Sequence, residues 1–271
     1  MPTHIRFQEN KAVWSFNIDD RIFLGEGLFE TMRVVEGRVR YPRQHWQRLN
    51  QAAFFLGIVF EVSLDLWLEK LNDFIQLTKM QNGGIKAILS GGSAPRGLLQ
   101  HAKESQLVFD AFQYEMSTQA LSLISAPWRR DARNPIYQMK SVNYLEAIIA
   151  RRHAQSVEAD EVLFFNFQNQ ATDTTVANFF LIQNNQVLTP SLENGVVPGI
   201  IRQRLLFLCK EQGIAYLECA ITKEQIIQAE AAFTTNALQG IRPICLFDGH
   251  HLNTANPIMD LLQSLLPGDQ E

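Results

Sequence analysis

An α+β chain of two domains is predicted from three observations. In the first hundred residues, stretches with period-2 alternation flank two stretches with helical spacing. Around Gln113 to Gln119 the sequence turns polar and loses periodicity, as a linker does. Beyond it, strand and helix patterns resume with turn signals between them, and 271 residues are enough for two separate cores. The expected boundaries are 1–115 for a smaller N-terminal domain and 116–271 for a larger C-terminal one.

The elements follow in order. Residues 12–18 alternate as a strand that Asp19-Asp20-Arg21 breaks. Gly25-Glu26-Gly27 leads into a second strand, 28–34, whose period sends Phe29, Thr31 and Arg33 to one face. That face is mixed, so it is either solvated or lines a polar pocket. Glu36-Gly37 closes a hairpin, and Pro42 opens a helix to Leu56 with Trp46, Leu49, Ala53 and Phe54 at helical spacing. Arg48 stands off that stripe. A helix at 64–80 ends at Asn82-Gly83-Gly84, and strands at 85–89 and 106–112 enclose the glycine-rich loop Ser90 to Gly97, which carries Arg96.

In the second half a strand at 121–126 precedes Lys140, with Ser141 as a possible N-cap for an amphipathic helix ending near Val157. Strands at 161–167 and 179–182 flank a segment holding Asp173. Val197-Pro198-Gly199 starts a helix, and the free N–H groups of such a start, at Ile200 and Ile201, suit a phosphate. Thr222 to Gln225 fits a capping box. The strand from Ala231 ends in Thr234-Thr235-Asn236-Ala237, which is ordinary turn chemistry or a second set of phosphate donors.

Composition narrows the function. Hydrophobic residues make up 46%, charged residues 19%, and the net charge is −4, which argues against a nucleic-acid partner. No run approaches the length of a membrane span, and the N-terminus lacks an apolar stretch behind its charges. Cys209, Cys219 and Cys245 are an odd number without metal-type spacing, so free thiols, no metal and a cytoplasmic location are expected. On residue types alone, a lysine near a helix start is ordinarily solvated and a mid-helix arginine ordinarily lies at the surface.

Six motifs in order overturn that reading for Lys140 and Arg48. They are Gly25 to Thr31, His45 to Leu49, Lys140 to Leu145, Ala159 to Glu161, Thr172 to Phe179, and Pro198 to Arg202. Together they resemble the fold-type IV pyridoxal-phosphate enzymes: branched-chain aminotransferases, D-amino acid aminotransferases and aminodeoxychorismate lyases. The resemblance spans Asp20 to Pro243 and implies a D-amino acid aminotransferase-like fold with the active site in the interdomain cleft. It implies pyridoxal 5'-phosphate on Lys140 as a Schiff base, with Tyr144 beside it and Asp173 at the ring nitrogen. The phosphate falls to Arg48, Ile200, Ile201, Asn236 and Ala237. Asp173 stands where the family usually has Glu, and Ile201 where it commonly has Thr.

Three places bear on the reaction. Thr31 replaces the usual glycine of the branched-chain aminotransferases, the arginine trap of the D-amino acid enzymes is missing at Gly91, and Asn236-Ala237-Leu238 resembles the lyase version of its loop. The resemblance therefore implies a lyase releasing pyruvate and 4-aminobenzoate from aminodeoxychorismate, with Lys140 and Thr31 catalytic and Phe29, Arg33 and Arg96 toward substrate. A branched-chain or D-amino acid aminotransferase and a non-catalytic cofactor-binding protein are the alternatives. It also implies a homodimer, to which Trp14, Phe16, Phe54 and Phe55 offer apolar surface, and a possible hand-over from aminodeoxychorismate synthase.

Overall fold

The computed structural model describes residues 4–8, 11–15, 21–95 and 97–266. An antiparallel hairpin comes first, β1 (His4–Gln8) and β2 (Lys11–Ser15). Of the strand expected over 12–18, positions 16–18 lie outside the described residues, as does Arg96.

Next come β3 (Gly27–Val35), β4 (Arg38–Val39), α1 (Pro42–Leu56), α2 (Leu64–Thr78), β5 (Gly83–Ser90) and β6 (Gln106–Phe112). The strands form an antiparallel sheet in the order β4-β3-β5-β6. Alternation divides its faces. Leu28, Met32 and Val34, with Ile85, Ala87 and Leu89, are buried in one core with Leu49, Ala53, Trp67, Leu71 and Ile75 of the two helices. The opposite face carries Phe29, Thr31 and Arg33, which pair across the strands with Ile88, Lys86 and Gly84. One helix position departs from expectation: Phe54 is 88% exposed. The buried stripe of α1 is His45, Leu49 and Ala53, at a spacing of four that leaves Phe54 to one side.

The second half contains β7 (Leu121–Arg130), α3 (Leu145–Ser156), β8 (Glu161–Asn166), β9 (Ala171–Thr174), β10 (Asn178–Gln183), β11 (Gln186–Pro190), α4 (Ile200–Glu211), β12 (Tyr216–Cys219), α5 (Lys223–Ile227), β13 (Ala231–Asn236), β14 (Gly240–Phe247), β15 (His250–His251) and α6 (Pro257–Leu265). Thr222 makes the expected capping box with Gln225 at the start of α5. These strands form one sheet in the order β12-β11-β10-β13-β14-β7-β8-β9, with β15 on β14. A single further pair, Asn178 with Asp173, joins β9 back to β10 and closes six strands into a ring. Between Asn178 and Gln183 β10 is apolar because both its faces are buried: Phe179 and Leu181 in one core, Phe180 and Ile182 in another with α4 and α6.

One side chain makes three hydrogen bonds to the linker between the two sheets. The Gln239 amide donates to Ser117 O (2.6 Å) and accepts from Ser117 N–H (3.0 Å) and the Tyr114 hydroxyl (2.9 Å). No helix among the described residues is long and apolar enough to cross a membrane.

Candidate active site

Lys140 does not stand at a helix start. Ser141 is not an N-cap: α3 begins at Leu145, and Lys140 to Val142 run beside β3 instead. Phe29 N–H donates to Lys140 O (2.9 Å) and Val142 N–H to Gly27 O (3.0 Å). The reason lies in β3, where β4 pairs only with Val34 and Val35, so backbone groups at Gly27 to Phe29 need partners on that edge. The lysine segment supplies them and is thereby fixed to the N-terminal sheet.

The Lys140 amine donates to the Tyr144 hydroxyl (3.2 Å) and lies 4.1 Å from the centre of the Phe29 ring. Lys86, from the neighbouring strand, lies 4.5 Å from the same ring. Burial, together with the positive charges of Arg48 and Lys86, lowers the Lys140 pKa to about 8, against the opposing pull of Glu30 and Asp173. Burial likewise pushes the Tyr144 phenol up to about 12. A neutral amine is therefore accessible near neutral pH, as a nucleophilic lysine requires.

Arg48 reaches from α1 to the same cleft. Its Nε and Nη2 donate to the two oxygens of Glu30 (2.8 and 2.5 Å), and Nη1 donates to Pro198 O (3.1 Å). Glu30 also accepts from His45 Nδ1 (2.6 Å). Burial alone would raise the Glu30 pKa, but the charges and hydrogen bonds of Arg48 and His45 outweigh it and hold it at about 2. His45, fully buried, is lowered below its ordinary value by that burial, so it is neutral and its Nδ1 carries the proton.

Asp173 sits at the pair that closes the ring of strands. One oxygen accepts from Asn178 Nδ2 (2.8 Å), the other from Val197 N–H (2.7 Å). Burial raises its pKa to about 6, although these donors and the charges of Arg130 and Arg202 act against the rise. Beyond Val197, α4 starts at Ile200 behind Gly199, and no side chain caps it. A Cβ on Gly199 would stand 1.8 Å from Asn178 Oδ1, so glycine lets the helix start come this close to Asn178, the side chain that donates to Asp173.

These groups line one cleft of about 720 Å³: Phe29, Thr31, Arg48, Lys140, Tyr144, Asp173, Ile200, Ile201, Asn236 and Ala237 are all on its wall. Asn236 uses its side-chain oxygen on its own turn, accepting from Leu238 and Gln239 N–H. Arg33 turns elsewhere. Its Nη1 donates to Gly83 O (3.0 Å) and Tyr114 O (2.9 Å), and the guanidinium stacks over the Tyr114 ring.

The family follows from comparison. The model of the class IV aminotransferases matches residues 27–247. The chain belongs to that family. A Legionella pneumophila structure, assigned provisionally as a 4-amino-4-deoxychorismate lyase, is 50% identical, covers all of both chains and superposes with a TM-score of 0.93. A D-alanine aminotransferase of Bacillus licheniformis is 26% identical over 89% of this chain and 86% of its own length. An aminodeoxychorismate lyase of Bacillus subtilis is 25% identical over 88% of this chain and 83% of its own. The fold is thus the α+β fold of the type IV enzymes, and the protein is a pyridoxal-phosphate enzyme of this class.

The residues present fit that cofactor. The uncapped start of α4 offers backbone N–H groups, and Arg48 offers a guanidinium. The hydroxyl of Thr235, on the cleft wall, is buried without a hydrogen-bond partner. Such a donor supplies what Ile201 lacks. Sequence reasoning did not single out Glu30, His45 or Lys86, and it offered Thr235 only as one member of a stretch that could donate to phosphate. A signal for the first two was present: Glu30 interrupts the apolar face Leu28-Met32-Val34, and His45 and Arg48 lie one turn apart.

Proposed function

We propose that the chain is a 4-amino-4-deoxychorismate lyase, releasing pyruvate and 4-aminobenzoate for folate synthesis. The observation that carries this reading is the face of β3 and β5 that bears Phe29, where Thr31 and Lys86 are cross-strand partners and the Lys86 and Lys140 amines both lie against the Phe29 ring. A hydroxyl and a second cation there suit a dicarboxylate ring and are costly against an apolar branched side chain. The full-length likeness to the Legionella protein supports the same choice.

Pyridoxal phosphate, when bound, supplies the electron sink for charge developing at the amine-bearing carbon. Lys140 is the covalent anchor and, once displaced by the substrate amine, the base that takes the proton from that carbon. Its depressed pKa favours the neutral form this role needs. Tyr144 orients the amine through its hydroxyl. Asp173 presents a carboxylate for a protonated ring nitrogen, and Arg48, the α4 start and Thr235 hold the phosphate. Breaking the substrate's enolpyruvyl C–O bond makes its ring aromatic, and Thr31 or Lys140 delivers the proton that completes pyruvate. Lys86 pairs with a substrate carboxylate, and Arg96 is a further candidate. Arg33, bound to two carbonyls, holds the linker.

The enzyme is proposed to act as a homodimer. Phe54 and Phe55, 88% and 63% exposed, offer the surface to bury, and sedimentation at micromolar concentration tests this.

The deciding experiment measures pyruvate release from aminodeoxychorismate beside 2-oxoglutarate-dependent amino transfer. Pyruvate release is expected to dominate, and Thr31→Gly should cut it by about 10²-fold while leaving amino transfer equal or better. Fast amino transfer without pyruvate would place the chain with the aminotransferases. A spectrum that does not shift with either amine substrate would mark a cofactor-binding protein without activity.

A further inference from the structure

Arg48 is immobilised before any ligand reaches it. A guanidinium has five N–H donors in one plane. Nε and one hydrogen of Nη2 go to Glu30, and one hydrogen of Nη1 goes to Pro198 O. One hydrogen on each terminal nitrogen is left. With the Nε–Nη2 edge held on Glu30, these two are the donors that the group can still offer to a phosphate.

The carboxylate behind it works against anion binding by charge alone, since Glu30 is ionised and touches the arginine. A site that needed only positive potential would be better without it. His45 in turn holds the carboxylate: its Nδ1–H donates to the oxygen that also accepts from Arg48 Nη2, while its Nε2 is buried without a partner. Only the Nδ1 side of the ring is used.

From this geometry we infer that Glu30 and His45 are positioning residues for the cofactor phosphate, aiming the remaining N–H donors of Arg48 rather than adding charge. The inference rests on the reading of Arg48 as the phosphate-binding arginine. Glu30 is 1% exposed and His45 is fully buried, and neither stands on the wall of the cleft that Arg48 shares with Asp173, so both act through the guanidinium.

The test titrates cofactor-free wild type, Arg48→Ala, Glu30→Gln, His45→Leu and His45→Asn with pyridoxal phosphate, and separately with inorganic phosphate. Circular dichroism and thermal unfolding check each fold. Glu30→Gln should weaken both ligands by about 10-fold to 100-fold, the loss seen when partners behind a binding group are removed. His45→Leu should weaken them less, and His45→Asn should recover most of that loss, because its amide N–H replaces Nδ1–H and Nε2 had nothing to lose. Binding as tight as wild type or tighter in Glu30→Gln, with Arg48→Ala weak, would show that charge alone matters and overturn the inference. Unchanged affinity in Arg48→Ala would remove the phosphate reading and the inference with it. Should Glu30→Gln fail to fold, the two His45 variants decide: equal affinities in Leu and Asn overturn it.

Discussion

Glu30 and Asp173 are both carboxylates shut away from water, at 1% and 7% exposure, and they shift in opposite directions. Burial raises both. Glu30 touches a guanidinium through two hydrogen bonds and an imidazole through a third, and falls to about 2. Asp173 receives only an amide and a backbone N–H, with its cations further off, and rises to about 6. The comparison teaches that burial alone does not mark a reactive group. Glu30 has its counter-charge inside the protein, so its work is structural. Asp173 lacks a contacting cation, and a protonated ring nitrogen would be one.

Lys140 feels both carboxylates, and its removal is the most severe way to break the comparison. Lys140→Ala should abolish the cofactor's imine absorbance, the borohydride-reducible adduct and all activity, while the chain still folds. A reducible adduct surviving in that variant would move the anchor to another lysine, Lys86 first.

The same carboxylate-to-amide change should act unequally at the two positions. In the cofactor-free protein, Glu30→Gln should cost about 3 kcal/mol, because it strands a largely buried arginine. The Glu30 pKa is depressed, so its contribution is present above pH 4.5 and is lost as the pH falls toward 2. Denaturant unfolding across that window should show wild type losing stability that the variant never had. Asp173 has a raised pKa, so its contribution is present below pH 3.8 and is lost as the pH rises through about 6. Asp173→Asn loses one of two accepted hydrogen bonds but strands no charge, so above pH 6 it should cost the cofactor-free protein less than Glu30→Gln does, while turnover falls by about 10²-fold. Equal destabilisation in the two variants would erase the distinction.

The smallest effect concerns a neutral group. Thr235→Val keeps the shape and removes a buried hydroxyl that has no partner. Folding should be unharmed, and cofactor affinity should drop by about 3-fold to 10-fold, the net worth of one ordinary hydrogen bond. Affinity equal to wild type, read by fluorescence titration, would leave that hydroxyl without a role.

Most elements were legible in the sequence, because alternation and helical spacing record which side of each segment is buried. β3, α1, β6 and α5 stand where pattern and punctuation put them. The order of motifs was enough to point to the family. What the sequence could not determine was pairing between distant segments. The edge of β3 takes Lys140 to Val142 as its partner, which moves the start of α3 from Ser141 to Leu145, and no local propensity encodes that choice. Asp173 meets Asn178 only because a ring of six strands closes there. Likewise, the lone Glu30 on an apolar face is visible in the sequence, but its partners are not. Charge partners are chosen by distance in space, so only the packing of α1 on β3 could make that glutamate the support of Arg48.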